Sequence, residues 1–124
     1  MHDQPSVSEL VQAVKNFIDE TASPNLKGHA AFHARVASNA LATVLRDLEQ
    51  RAEGESAERA RLLALLGSGE DADLTALNRA LSEKICAGEM TSSTPGLLAH
   101  LKATTMAQVE IDQPRYSGLK TARS

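Results

Sequence analysis

Val7, Leu10, Val11, Val14, Phe17 and Ile18 recur at steps of three and four, the spacing that gathers side chains on one face of an α-helix. Ser6-Val7-Ser8-Glu9 stands at the head of this stripe and fits a capping box, in which a hydroxyl and a carboxylate satisfy free amides at a helix start. A helix over about 6–20 is expected, ended by Ser23-Pro24-Asn25. A second should span about 27–52. A third, about 56–66, carries Leu62, Leu63, Leu65 and Leu66 and stops at Gly67. After a Gly67–Asp71 loop, Asp71 or Asp73 caps a fourth helix over about 73–87, with Leu74, Leu77, Leu81 and Ile85 on its face and Gly88 at its stop. Thr94-Pro95 reads as a helix start, because proline at the first turn lacks only an amide that would be unbonded anyway. The fifth helix then covers about 95–111, and 112–124 remain as a C-terminal tail. The fold class expected is all-α: a single-domain bundle of about five helices around the long, Ala-rich second one.

That second helix has an unusual circumference. At 100° per residue, Arg35, Asn39 and Arg46 share a wedge roughly 40° wide, while Phe32, Val36, Ala40, Val44, Leu41, Leu45 and Leu48 sweep most of the rest. A surface helix shows an apolar arc only a little wider than 100°. Enclosure at the centre of the bundle, or against a second copy of the chain, is therefore expected, and with it a homodimer. Ala30, Ala34, Ser38 and Ala42 also fall four apart. They form a ridge of small side chains that a neighbouring helix can approach closely.

Composition narrows the classes. Of 124 residues 42% are apolar, with 20 Ala and 16 Leu against 9 Val or Ile, which favours helices over strands. The formal charge is −3 with the signs interspersed, and the aromatics are Phe17, Phe32 and Tyr116 alone. A nucleic-acid partner would call for a basic stripe and stacking platforms, which this pattern lacks. Apolar runs are too short to cross a membrane. Cys86 is the sole cysteine, so no disulfide framework can form within one chain. With no export signal in view, a cytoplasmic protein is expected.

The candidate chemistry is sparse. His29 and His33 lie one turn apart, yet a third metal ligand would have to be His100 or a distant acid, and the H-E-x-x-H arrangement is missing. No metal site and no cofactor are expected, and His33, inside the apolar arc, reads as a buried structural histidine. Arg35 and Asn39 offer a planar fork of donors and an amide one turn apart, suited to an anionic ligand, a partner's acid or the chain's own loops. Glu70, Asp71 and Asp73 lack the remaining ligands of a calcium loop and read as helix caps. Gly67-Ser68-Gly69 lacks the spacing of a nucleophile elbow. Cys86, near a helix C-terminus, sits where the dipole disfavours a thiolate. In the tail, Arg115 and Tyr116 are the candidate contacts, with the Tyr116 ring expected to dock over apolar surface. A general base at His33 would point well over 100° away from Arg35 and Asn39, so one helix cannot aim all three at one substrate.

The stretch Ala31-Phe32-His33-Ala34-Arg35-Val36-Ala37-Ser38-Asn39-Ala40-Leu41 resembles the signature of a family of short bacterial proteins of unknown function. His2-Asp3-x-Pro5, Leu74-x-x-Leu77-Asn78, Leu97-Leu98-Ala99-His100-Leu101 and Asp112-Gln113-Pro114-Arg115-Tyr116-Ser117 are similar to its other motifs. Members of that family are typically encoded beside an aminoglycoside-phosphotransferase-like kinase and an acyl-CoA dehydrogenase. The resemblance implies an accessory or partner of such enzymes and assigns no catalytic residue. The leading expectation is thus a non-catalytic helical interaction protein. Its alternative is a helical bundle binding an acyl or phosphorylated metabolite, with His33, Arg35, Asn39, Arg115 and Tyr116 as candidate contacts.

Overall fold

The computed structural model describes residues 4–124. Among them the chain is all-α, with five α-helices and no strand: α1 (Val7–Phe17), α2 (Gly28–Leu66), α3 (Leu74–Cys86), α4 (Leu97–Asp112) and α5 (Gly118–Arg123). Two compact units divide it, Met1–Arg51 and Ala52–Ser124. The long second helix contributes residues to both.

In the first unit the capping box forms as the sequence suggests. The Ser6 hydroxyl accepts from the Glu9 amide, and the Glu9 carboxylate accepts from the Ser6 amide. The helical path continues past residue 20, as a π-helical turn at Ile18–Ala22 and a 3₁₀ turn at Ser23–Asn25, before Leu26 becomes extended. From the π turn, Asp19 reaches α2 and accepts a hydrogen bond from the Ser38 hydroxyl. Ser38 is buried, and Ala34 and Ala42 on the same small-residue ridge are partly covered.

The enclosure expected for residues 27–52 is not found within the chain. Phe32 is 52% exposed, Val36 49%, Val44 43% and Leu48 42%. Val11 on α1 and Ile18 at the start of the π turn are partly buried, while Val7, Leu10, Val14 and Phe17 of α1 stay exposed. A unit made of one helix pair covers each helix on one side only, so the far side of the wide apolar arc remains in water.

The second unit holds the core. Leu62 on α2, Leu77 and Leu81 on α3, and Leu97 on α4 form one buried cluster, with Leu63, Leu65, Leu66, Ala72, Leu74 and Met90 packed against it. Asp73 caps α3 through a bond from the Ala76 amide, and Gly88, at φ 78°, follows its end. The loop before α3 is held by Arg59, whose guanidinium donates to the carbonyls of Ala72 and Glu70.

Three boundaries differ from expectation. The expected helices 27–52 and 56–66 are a single 39-residue helix. Gly54 costs a helix interior only about 1 kcal/mol relative to alanine, and strong helix formers on either side, Arg51-Ala52-Glu53 and Ala57-Glu58-Arg59, carry the helix through. Thr94-Pro95 does not open α4. The Thr94 hydroxyl accepts from the Thr91 amide within a turn, and Gly96, in the left-handed region at φ 86°, precedes the first helical residue. The tail is also partly helical: α5 seats Leu119 in a buried position, and Arg123 pairs with Glu110 of α4 at 2.8 Å.

Candidate functional site

The sequence-predicted residues of the first unit stand on an open surface. His33 is exposed, not buried, and its ring meets the Phe32 ring edge-on with centroids 5.6 Å apart. It escapes burial because it lies on the side of α2 that the first unit leaves uncovered. Arg35 and Asn39 are exposed too, and the bond at Asn39 is through its backbone carbonyl, which accepts from Thr43 Oγ1. Arg46, third member of the polar wedge, donates to Thr43 Oγ1. The wedge presents Arg35 and Asn39 to water.

Arg115 and Tyr116 belong to a different place. With Pro114, Lys120 and Arg123 they line a shallow recess of about 210 Å³ beside α5. The Tyr116 ring is 60% exposed, so it does not dock over apolar surface as expected. It lies instead across Gly118, where a Cβ would come within 2.4 Å of Tyr116 Cε1. Leu119, not Tyr116, anchors the tail, because an aliphatic side chain can be fully enclosed without leaving a hydroxyl to satisfy. Arg123 spends its charge on Glu110, whereas Arg115 and Lys120 face the recess with no ion pair among the described residues.

Sequence reasoning missed a partly buried polar row in the second unit, with His100 as its buried member. His100 on α4 is 2% exposed. Its Nδ1 accepts from Arg61 Nε at 3.0 Å, and the same guanidinium donates to Thr104 Oγ1 at 3.1 Å. One turn earlier on α2, Glu58 accepts from the Asn78 amide of α3 at 3.1 Å. Burial pushes the His100 pKa below its ordinary value, the Arg61 cation adds to the drop, and Glu58 opposes it. The imidazole is therefore neutral with its proton on Nε2, a structural acceptor and not a base poised for solvent. The signal available in the sequence was helical spacing, Glu58 to Arg61 and His100 to Thr104, inside leucine-rich stripes.

Among the described residues, no three His, Cys, Asp or Glu side chains converge as metal ligands. No described helix is long and apolar enough to cross a membrane. Cys86 is exposed and unpaired.

These features define an all-helical protein with one leucine-cored unit and one unit of uncovered amphipathic helices. Residues 24–116 match the family described as Domain of unknown function (DUF6285), and the chain belongs to that family. The match takes in α2, α3 and α4 and ends at Tyr116; it leaves out α1 and α5. The opening His2 and Asp3 lie outside the described residues. No curated protein and no solved structure matches the chain.

Proposed function

We propose that this chain is a non-catalytic helical interaction protein of the cytoplasm that forms a homodimer through its first unit and serves as an accessory to a metabolic enzyme. One observation supports it above the others. The buried apolar residues Leu62, Leu77, Leu81, Leu97, Ile111 and Leu119 all lie in the second unit, while the first leaves eight large apolar side chains of α1 and α2 about half exposed. Uncovered apolar surface on this scale marks a protein-interaction site. The enzyme partner, a phosphotransferase-like kinase or an acyl-CoA dehydrogenase, is taken from the family resemblance. Light scattering should give twice the 13.2 kDa of the chain, and affinity capture should recover one of those two enzymes by mass spectrometry. A strict monomer at micromolar concentration that recovers neither overturns the reading.

A second reading draws on the recess beside α5. Arg115 and Lys120, with no ion pair among the described residues, and the aromatic rim suit a phosphorylated metabolite, although about 210 Å³ falls below the ~300 Å³ at the small end of ligand pockets and leaves no room for an acyl chain. Thermal shift with phosphorylated acids against acyl-CoAs separates the two ligand classes.

A further inference from the structure

α4 gives Leu97 to the buried leucine cluster, whose other buried members, Leu62, Leu77 and Leu81, come from α2 and α3. One turn further along α4 the attachment is polar. His100 and Thr104 both accept from the half-buried guanidinium of Arg61 on α2, at 3.0 and 3.1 Å. α3 is held to α2 in another way, by its two buried leucines and by the Asn78 amide, which donates to Glu58 at 3.1 Å. None of these α3 side chains titrates.

Arg61 can donate to Nδ1 only while that nitrogen keeps a lone pair. A proton arriving there removes the acceptor and sets an imidazolium against a guanidinium. His100 is 2% exposed, so water cannot solvate the new charge in place, and the ring must move outward to be hydrated. The charged groups acting on the ring come from α2: Arg61 opposes its protonated form and Glu58 favours it. α3 contributes the uncharged Asn78 amide, which engages Glu58. The Glu110–Arg123 pair lies ten residues further along α4, about 15 Å away.

We propose that the Arg61–His100 bond is a proton-operated latch: protonation of His100 releases α4, with α5 attached, from α2, while α2 and α3 stay packed together. Residues 87–96, between α3 and α4, are turns and bends that can act as the hinge. α5 packs on α4 and is pinned to it by the Arg123–Glu110 pair at 2.8 Å, so the two helices leave together. Release uncovers Leu97 and the leucines of α2 and α3 that it covers. The protein then shows apolar surface in acid that it hides at neutral pH. The latch lies wholly in the second unit and does not depend on the self-association proposed for the first.

Amide hydrogen exchange of the full chain, followed at increasing urea below the unfolding transition, tests this at about pH 7.5 and pH 5, with protection corrected for the intrinsic rate. Amides of α4 and α5 should open together, at a lower free energy and with a smaller urea dependence than those of α3. About pH 5 lies roughly 1.5 below the ordinary histidine value of 6.5, so this opening should become several-fold more frequent there, and at most about 30-fold. His100→Gln keeps an acceptor without a proton equilibrium and should abolish the acid response. Nitrogen shifts of the wild-type His100 ring give a second measure that needs no variant: the opening should rise as pH falls towards the ring's own pKa and level off below it. If α4 opens only with α3, at the same free energy and urea dependence, there is no separate latch. An opening that ignores pH, persists in acid in the glutamine variant, or keeps rising below the ring's pKa overturns the role of His100.

Discussion

Arg61 Nε donates to His100 Nδ1 across 39 residues of sequence, joining α2 to α4 with a 3.0 Å bond from a half-buried guanidinium to a buried imidazole. The bond exists only while the imidazole is neutral, because a protonated ring has no lone pair at Nδ1.

A pH dependence of stability follows. The folded-state pKa of His100 is depressed below 6.5, first by burial and then by Arg61. Above that value the ring is neutral in both folded and unfolded chains and the network is intact. As pH falls from 6.5 towards the folded pKa, the unfolded chain takes up a proton that the folded chain resists, and stability is lost. The urea midpoint should drop between about pH 7 and pH 5, and His100→Gln should flatten that part of the profile. A variant as pH-sensitive as the wild type would place the titrating group elsewhere.

Truncating the donor isolates the network from the charge effect. Arg61→Ala removes the bonds to His100 and Thr104 and leaves a buried acceptor unpaired, at a cost of about 1–3 kcal/mol. Arg61→Lys keeps the cation but has no planar fork to reach both acceptors, so it should recover only part of the loss. Urea unfolding of the two variants at one pH above neutrality measures both.

Gly54 offers a change in the opposite direction. It lies inside α2 with nothing within 4 Å of the position a Cβ would take. Gly54→Ala should therefore stabilise the helix by about 0.5–1 kcal/mol, by restricting the unfolded chain. Thermal unfolding should show a higher midpoint with no change in helical content.

The same glycine shows where local reading stops. The Ser6–Glu9 capping box, the Asp73 cap and the Gly88 stop were legible because their hydrogen bonds span only a few residues. Gly54 followed by Ser56 reads as a stop and a start, yet a lone glycine costs less than its neighbours' helix preference supplies. Thr94-Pro95 misled for a related reason: the hydroxyl had a nearer amide to satisfy, at Thr91. The width of the α2 apolar arc was legible from periodicity, but what covers it was not, and His33 followed that error to the surface. The His100 network was hidden because Arg61 finds its partners 39 and 43 residues away, and only the packing of α2 on α4 brings them together.

The last prediction separates the two units energetically. Leu62 is 0% exposed at the centre of the leucine cluster, whereas Leu98, next to the buried Leu97, is 58% exposed. Leu62→Ala opens a cavity and should cost about 2–5 kcal/mol, and Leu98→Ala less than about 0.5 kcal/mol. Neither value should vary with protein concentration when unfolding of the second unit is followed. Leu48→Ala, on the exposed side of α2, removes surface that the proposed homodimer would cover. Its effect should appear as a weaker dimer, with an unfolding midpoint that depends on concentration more steeply than that of the wild type. Denaturation series at several protein concentrations, run on all three variants, distinguish a residue that holds its own chain together from one that holds two chains to each other.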